Sequence, residues 1–184
     1  TQDTPIVITC IFDEAVTPLD QNKLRVSGGG EVIAMQAIST TQYRLEVVPS
    51  FSSVSLEIVV PPNAAFDRAG NGNIASNSLR VEYDVEPPRV RITADAPGPN
   101  KPLRLYFMFS EHVVGLTEQR IFVSNAVVSS LERVSDVLYT CILKLPSTNI
   151  NLEYPVTVSL PAFAVRDQAG IPNKASDTFT VRYG

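Results

Sequence analysis

Lys101–Val113 reads KPLRLYFMFSEHV. Leu103, Leu105, Phe107 and Phe109 occupy alternate positions, with Arg104, Tyr106 and Met108 between them. Side chains alternate across a strand and not along a helix, so this stretch is a half-buried β-strand. Thr4–Val16 reads TPIVITCIFDEAV and repeats the pattern with Ile6, Ile8, Cys10 and Phe12. The correspondence continues in order through Val26/Val123, Asp67/Asp167, Gly70/Gly170, Asn73/Asn173 and Tyr83/Tyr183. A period of this size, with a set of strands inside each copy, describes an array of domains.

Outward from Leu103–Phe109, further β-branched and aromatic runs predict strands at Arg89–Thr93, Arg120–Ser124, Val127–Arg133, Val137–Leu145, Tyr154–Leu160 and Thr178–Tyr183. Pro and Gly place a turn at Ala96–Asn100. Neither copy contains an amphipathic helical pattern. Short strands punctuated by turns predict an all-β protein of two tandem immunoglobulin-like β-sandwiches, about seven strands each. The first domain is read as 1–84, the Pro-containing linker as 85–88 and the second domain as 89–184. Only Thr1–Thr4 precede Pro5, whereas Arg89–Lys101 precede the matching Pro102, so the first copy lacks its opening strand. Either the chain starts late, or a strand from elsewhere completes the domain, since an unpaired sheet edge is a ready template. The linker DVEPP is short and stiff because of its two prolines, which restricts the angle between the domains.

Of the 184 residues, 44% are hydrophobic and 18% charged, which predicts a folded chain. A net charge of −4 argues against nucleic acid, whose binding needs Lys and Arg to neutralise phosphate. No apolar run reaches the length of a membrane span, so neither membrane insertion nor a signal peptide is expected within this segment. Cys10 and Cys141 lie in phase with apolar strand residues of different domains, so both are expected to be unpaired, packing as small hydrophobes. Tyr43, Tyr83, Tyr139 and Tyr183 recur at matched positions and are assigned to the core, whereas Tyr106 and Tyr154 have no partners and are candidate surface contacts. The absence of tryptophan weakens a carbohydrate-binding reading, and no Asn-x-Ser/Thr acceptor occurs.

Catalytic patterns are lacking. The single histidine, His112, falls in a loop with Ala15 at the matching position and is expected to be solvated. No nucleophile elbow, His-Glu-x-x-His or phosphate-binding glycine motif is found. Gly28-Gly29-Gly30 lies between strands and reads as a flexible loop. The chain is therefore expected not to be an enzyme.

The most distinctive elements are Phe109-Ser-Glu-x-Val113, Gly115-Leu-Thr117, a Tyr-containing strand, Leu160-Pro-Ala162, Asp167-x-Ala-Gly170 and the closing Val181-x-Tyr183. In this order they resemble the bacterial Ig-like (Big-type) domain family. The similarity covers Pro87–Tyr183 and, less the first strand, Thr4–Tyr83. Ile171-Pro172 departs from the Asn71-Gly72 of the first copy, and Asp13 replaces the usual Ser. The resemblance implies an extracellular or cell-surface location within a large repeat protein, adhesins among them.

Two readings of the acidic residues stay open. In a seven-stranded sandwich the loop after the second strand and the loop before the last share one end with the incoming linker. Glu111, Asp167, Asp84 and Glu86 would then converge at the interdomain junction and offer the hard oxygens that calcium takes, as cadherin-type junctions do. The alternative is a hydrogen-bonded turn, in which the loop Asp accepts backbone amides two residues on and Glu14 and Glu111 accept such amides from the neighbouring loop. No other cofactor is expected. The functional expectation is a non-catalytic structural or adhesive module, a stiff spacer or filament-building unit. Its partners would be neighbouring Ig-like repeats of the same protein, with strand or side-by-side contacts to other chains. The rivals are an adhesin module recognising a sugar or protein, and accessory spacer domains of an extracellular enzyme.

Overall fold

The computed structural model of the chain describes residues 1–96, 102–144 and 155–182. The expected turn over 97–100, Tyr154 and Tyr183 lie outside the described residues. The chain is all-β and divides into two compact units, Thr1–Glu86 and Pro87–Gly184.

In the first unit the strands are β1 (Ile6–Ile11), β2 (Arg25–Ser27), β3 (Gly30–Ala37), β4 (Gln42–Pro49), β5 (Ser53–Val59) and β6 (Leu79–Asp84). They form two antiparallel sheets, β1-β4-β3 and β2-β5-β6. The alternation that defined β1 is the reason it sits where it does: Ile6 and Ile8 are buried while Val7 is 52% exposed. Ile6, Ile8, Leu45 and Val47 from one sheet pack with Leu56, Ile58 and Tyr83 from the other. Leu19, Tyr43, Val60, Ala64 and Ala65 make a separate cluster. The glycine run joins β2 to β3, and Gly30 already belongs to β3. Gly28 has φ +87°, and a Cβ there would fall 2.0 Å from the carbonyl oxygen of Ser55, so only glycine fits.

The second unit holds β7 (Val90–Ala94), β8 (Leu103–Phe109), β9 (Phe122–Ser124), β10 (Val127–Arg133), β11 (Leu138–Lys144), β12 (Val156–Ser159) and β13 (Phe179–Val181). Its sheets are β7-β8-β11-β10 and β9-β12-β13. The predicted strand at Arg120–Ser124 starts later than expected, because Glu118–Arg120 form a 3-10 turn first. One continuous core includes Phe107, Phe109, Tyr139, Cys141, Leu143, Val158, Leu160 and Val165. Each unit contains an edge-to-face aromatic pair, Phe12–Tyr43 and Phe109–Tyr139, both 5.9 Å between centroids at 82°. Such pairs add about 1 kcal/mol beyond area burial. Tyr43, Tyr83 and Tyr139 are buried, as matched positions predict. The Tyr43 hydroxyl donates to the carbonyl of Thr17 and that of Tyr139 to the carbonyl of Val113.

Candidate functional site

The two acidic loops are built alike up to one residue. In the first unit the Asp67 N–H donates to the carbonyl of Asn71 at 2.9 Å, and the Asp67 carbonyl accepts from Gly70 N–H at 3.2 Å. Gly70 takes φ +91°, which a side chain would strain. The carboxylate then closes the loop. Its Oδ1 accepts from Asn71 N–H at 2.8 Å, and its Oδ2 accepts from Asn71 Nδ2 at 2.7 Å. The Asn71 side-chain bond is the foremost cause holding Asp67 below the ordinary carboxylate range, followed by the Asn71 backbone bond. The turn bond expected here is present, reaching four residues along the chain and not two.

Asp167 repeats the backbone pattern, with its N–H donating to Ile171 and its carbonyl accepting from Gly170, which has φ +85°. Its Oδ1 accepts from Ile171 N–H at 2.8 Å. An isoleucine side chain has no donor, so nothing replaces Asn71 Nδ2. Asp167 is 4% exposed, and its Oδ2 is buried with no hydrogen-bond partner. Leaving such an oxygen unmatched costs about 1–3 kcal/mol, more when charged. A carboxylate oxygen of Glu111 lies within 4.8 Å of one from Asp167. Both acids belong to the second unit, and Glu111 is half-buried.

Of the four residues expected to hold calcium, Glu111 and Asp167 are thus brought together within one unit. Asp84 and Glu86 belong to the first unit, where Asp84 ends β6 and accepts from the Glu86 N–H at 3.0 Å through Oδ1. The Glu86 carboxylate accepts from the Ser52 hydroxyl. Glu111 and Asp167 alone supply at most four carboxylate oxygens, against the six to eight, roughly, that calcium takes. Water or further ligands would have to complete the shell.

Sequence reasoning paired Asn73 with Asn173 but gave them no role. Asn173 is 2% exposed; its Oδ1 accepts from Val165 N–H, and its Nδ2 donates to the carbonyls of Pro161 and Lys174. Asn73 does the same with Ala64, Ala65, Pro61 and Ile74. Ser76 and Ser176 accept from Val60 N–H and Leu160 N–H. Recurrence of a polar residue with no charge was the available signal. The departure at Ile171 was likewise visible in the sequence, but its consequence depends on the carboxylate it leaves unpartnered.

His112 is not simply solvated. Its Nε2 lies 3.1 Å from Arg133 Nη2 and its Nδ1 2.7 Å from the side-chain amide of Gln168. A guanidinium only donates, so Nε2 is the acceptor. Arg133 also pairs with Asp136 at 2.8 Å. Both cysteines are free thiols. Burial pushes the Cys141 thiol up to about 12 and raises that of half-buried Cys10. Thiol attack needs the thiolate, so these shifts slow the reaction of both with electrophiles near neutral pH. Among the described residues no helix is long and apolar enough to cross a membrane.

Comparison with family models, with curated proteins and with solved structures finds no match to this chain.

Proposed function

We propose that this chain is a non-catalytic segment of a larger extracellular or surface protein, two immunoglobulin-like sandwiches in tandem serving as a stiff spacer or filament-building unit. The observation that supports this most is how the recurring polar residues are used. Tyr43 and Tyr139, Asn73 and Asn173, and Ser76 and Ser176 all bond to backbone elsewhere in their own units. What recurs is therefore the machinery that closes a fold. Ladder bonds in antiparallel sheets break together under shear, which suits load-bearing. Pulling the whole chain by its ends should give two separate unfolding steps, each releasing about 300 Å, the extended length of one unit. Gradual extension at low force would contradict a spacer role.

A second reading concerns a cation in the second unit, and two observations favour it: Asp167 Oδ2 is buried without a hydrogen-bond partner, and the Asp167 and Glu111 carboxylates lie close together. A divalent ion such as calcium would satisfy that oxygen and offset the repulsion from Glu111. Millimolar calcium should raise the melting temperature of the wild-type second unit and leave Asp167→Asn unmoved. Equal behaviour of the two proteins would remove the cation and leave the loop as a hydrogen-bonded turn.

A further inference from the structure

In the second unit β8 is covered on both edges, by β11 on one side and β7 on the other. β7 runs antiparallel to β8 with Val90 opposite Phe109, Ile92 opposite Phe107 and Ala94 opposite Leu105. Its approach is fixed at two points. Arg89 N–H donates to Ser110 Oγ at 3.0 Å while its carbonyl accepts from Ser110 N–H, and the Pro88 carbonyl accepts from Lys174 N–H at 3.0 Å. Ile92 then joins the same core as Phe107, its partner across the strand pair.

In the first unit β1 has β4 on one edge and, among the described residues, no strand on the other. A groove of about 630 Å³ runs there. One wall is Ile8, Cys10 and Phe12, the positions that match Leu105, Phe107 and Phe109. The other is Val60, Leu79 and the segment Asn73–Asn77 before β6, which matches the segment holding Lys174. The groove therefore borders the same positions that β7 covers in the second unit. The core beneath agrees with this. It is one cluster in the second unit and two in the first, with Cys10 packed partly against both.

Charge narrows the occupant. Asp13, Glu14 and Asp67 line the Phe12 end of the groove, where Asp13 takes the position of Ser110. A carboxylate there accepts an incoming N–H more strongly than a hydroxyl does. Three acids at that end favour a segment that begins with basic residues, as Arg89-Val-Arg91 does.

We infer that the open edge of β1 is a strand-acceptor site. It takes an extended segment from outside these 184 residues, laid antiparallel to β1, basic at its start and apolar at alternate positions facing Phe12, Cys10 and Ile8. Main-chain bonds to an edge strand supply the affinity, and side-chain pockets at every second residue supply the selectivity. The site does not depend on whether the chain bears load: the two-step unfolding tests the spacer reading, and strand acceptance is read separately.

The probe is a peptide of the chain's own β7 sequence, Glu86–Asp95, offered to the full chain both free at millimolar concentration and tethered ahead of Thr1 through a flexible linker. Tethering holds the segment at an effective concentration in the millimolar range. Cys10 is the reporter, and buried Cys141 is the silent reference. The expected result is Cys10 alkylation slowed by about tenfold or more, with slower amide exchange in Ile8–Phe12 and an unchanged second unit. The same peptide carrying Val90→Asp and Ile92→Asp should give no protection. Equal Cys10 reactivity with the wild-type and the Asp-bearing tethered peptides would overturn the inference.

Discussion

Phe107 and Cys10 stand at matching points of β8 and β1 and differ in what lies over them. Phe107 is 0% exposed, with Ile92 opposite it on the neighbouring strand, in a core that runs unbroken through its unit. Cys10 is half-buried beside a groove, between two smaller clusters. The same alternating sequence thus makes an interior strand in one unit and an edge strand in the other. An amphipathic strand specifies which face is buried; whether its edge is covered is set by its neighbours.

Substitutions at those two residues should separate the units most. Phe107→Ala should destabilise the second unit by about 3–5 kcal/mol, and Cys10→Ala should cost the first unit only about 1 kcal/mol. Denaturant midpoints of each unit, followed by residue-resolved spectra, measure both; similar losses would mean that the groove leaves the first core as tightly sealed as the second. Next in size is Asn173→Ala, which strands the buried Val165 N–H and two part-buried carbonyls and should cost about 2–3 kcal/mol. Asn73→Ala should show a similar loss, because that clasp is common to both units.

The acidic loops should respond with opposite sign. Asp167→Asn replaces an unpartnered buried oxygen with a donor beside Glu111, and in chelator it should stabilise the second unit by about 1 kcal/mol. Asp67→Asn sets an amide donor against Asn71 Nδ2 and should lower the melting temperature of the first unit. A matching change in both units would show that Ile171 is not what separates them. The smallest effect is in acid. A carboxyl whose folded-state pKa is depressed stabilises fully above its unfolded pKa, and that contribution is lost as pH falls through the folded value. Asp67 is such a group, chiefly through the Asn71 side chain. Asn71→Ala should therefore flatten the fall in first-unit stability below about pH 4, measured as unfolding midpoints across that range.

Much of the strand pattern was legible in the sequence because burial enforces a period of two. Leu103–Phe109 and Val127–Arg133 match their predicted bounds, and β11 and β13 lie within theirs. The 3-10 turn at Glu118–Arg120 escaped because three residues carry too little periodicity to distinguish a turn from a strand start. At the acidic loops, sequence identified Asp67 and Asp167 but could not say which carboxylate oxygen would lack a donor. That is a property of one side chain four residues away. The tight turn at Gly28 and the hydrogen bonds around His112 were hidden for the same reason, since both depend on residues distant in sequence, Ser55, Arg133 and Gln168.

Amide hydrogen exchange across β1 and β8 tests the central distinction most directly. Leu105–Met108 of β8 are paired with a strand on each side, whereas alternate amides of β1 point away from β4. Alternate residues of Ile6–Ile11 should exchange about 100-fold faster than those of Leu103–Phe109 in the native chain. Uniform protection along β1, equal to that of β8, would contradict an open edge in the first unit.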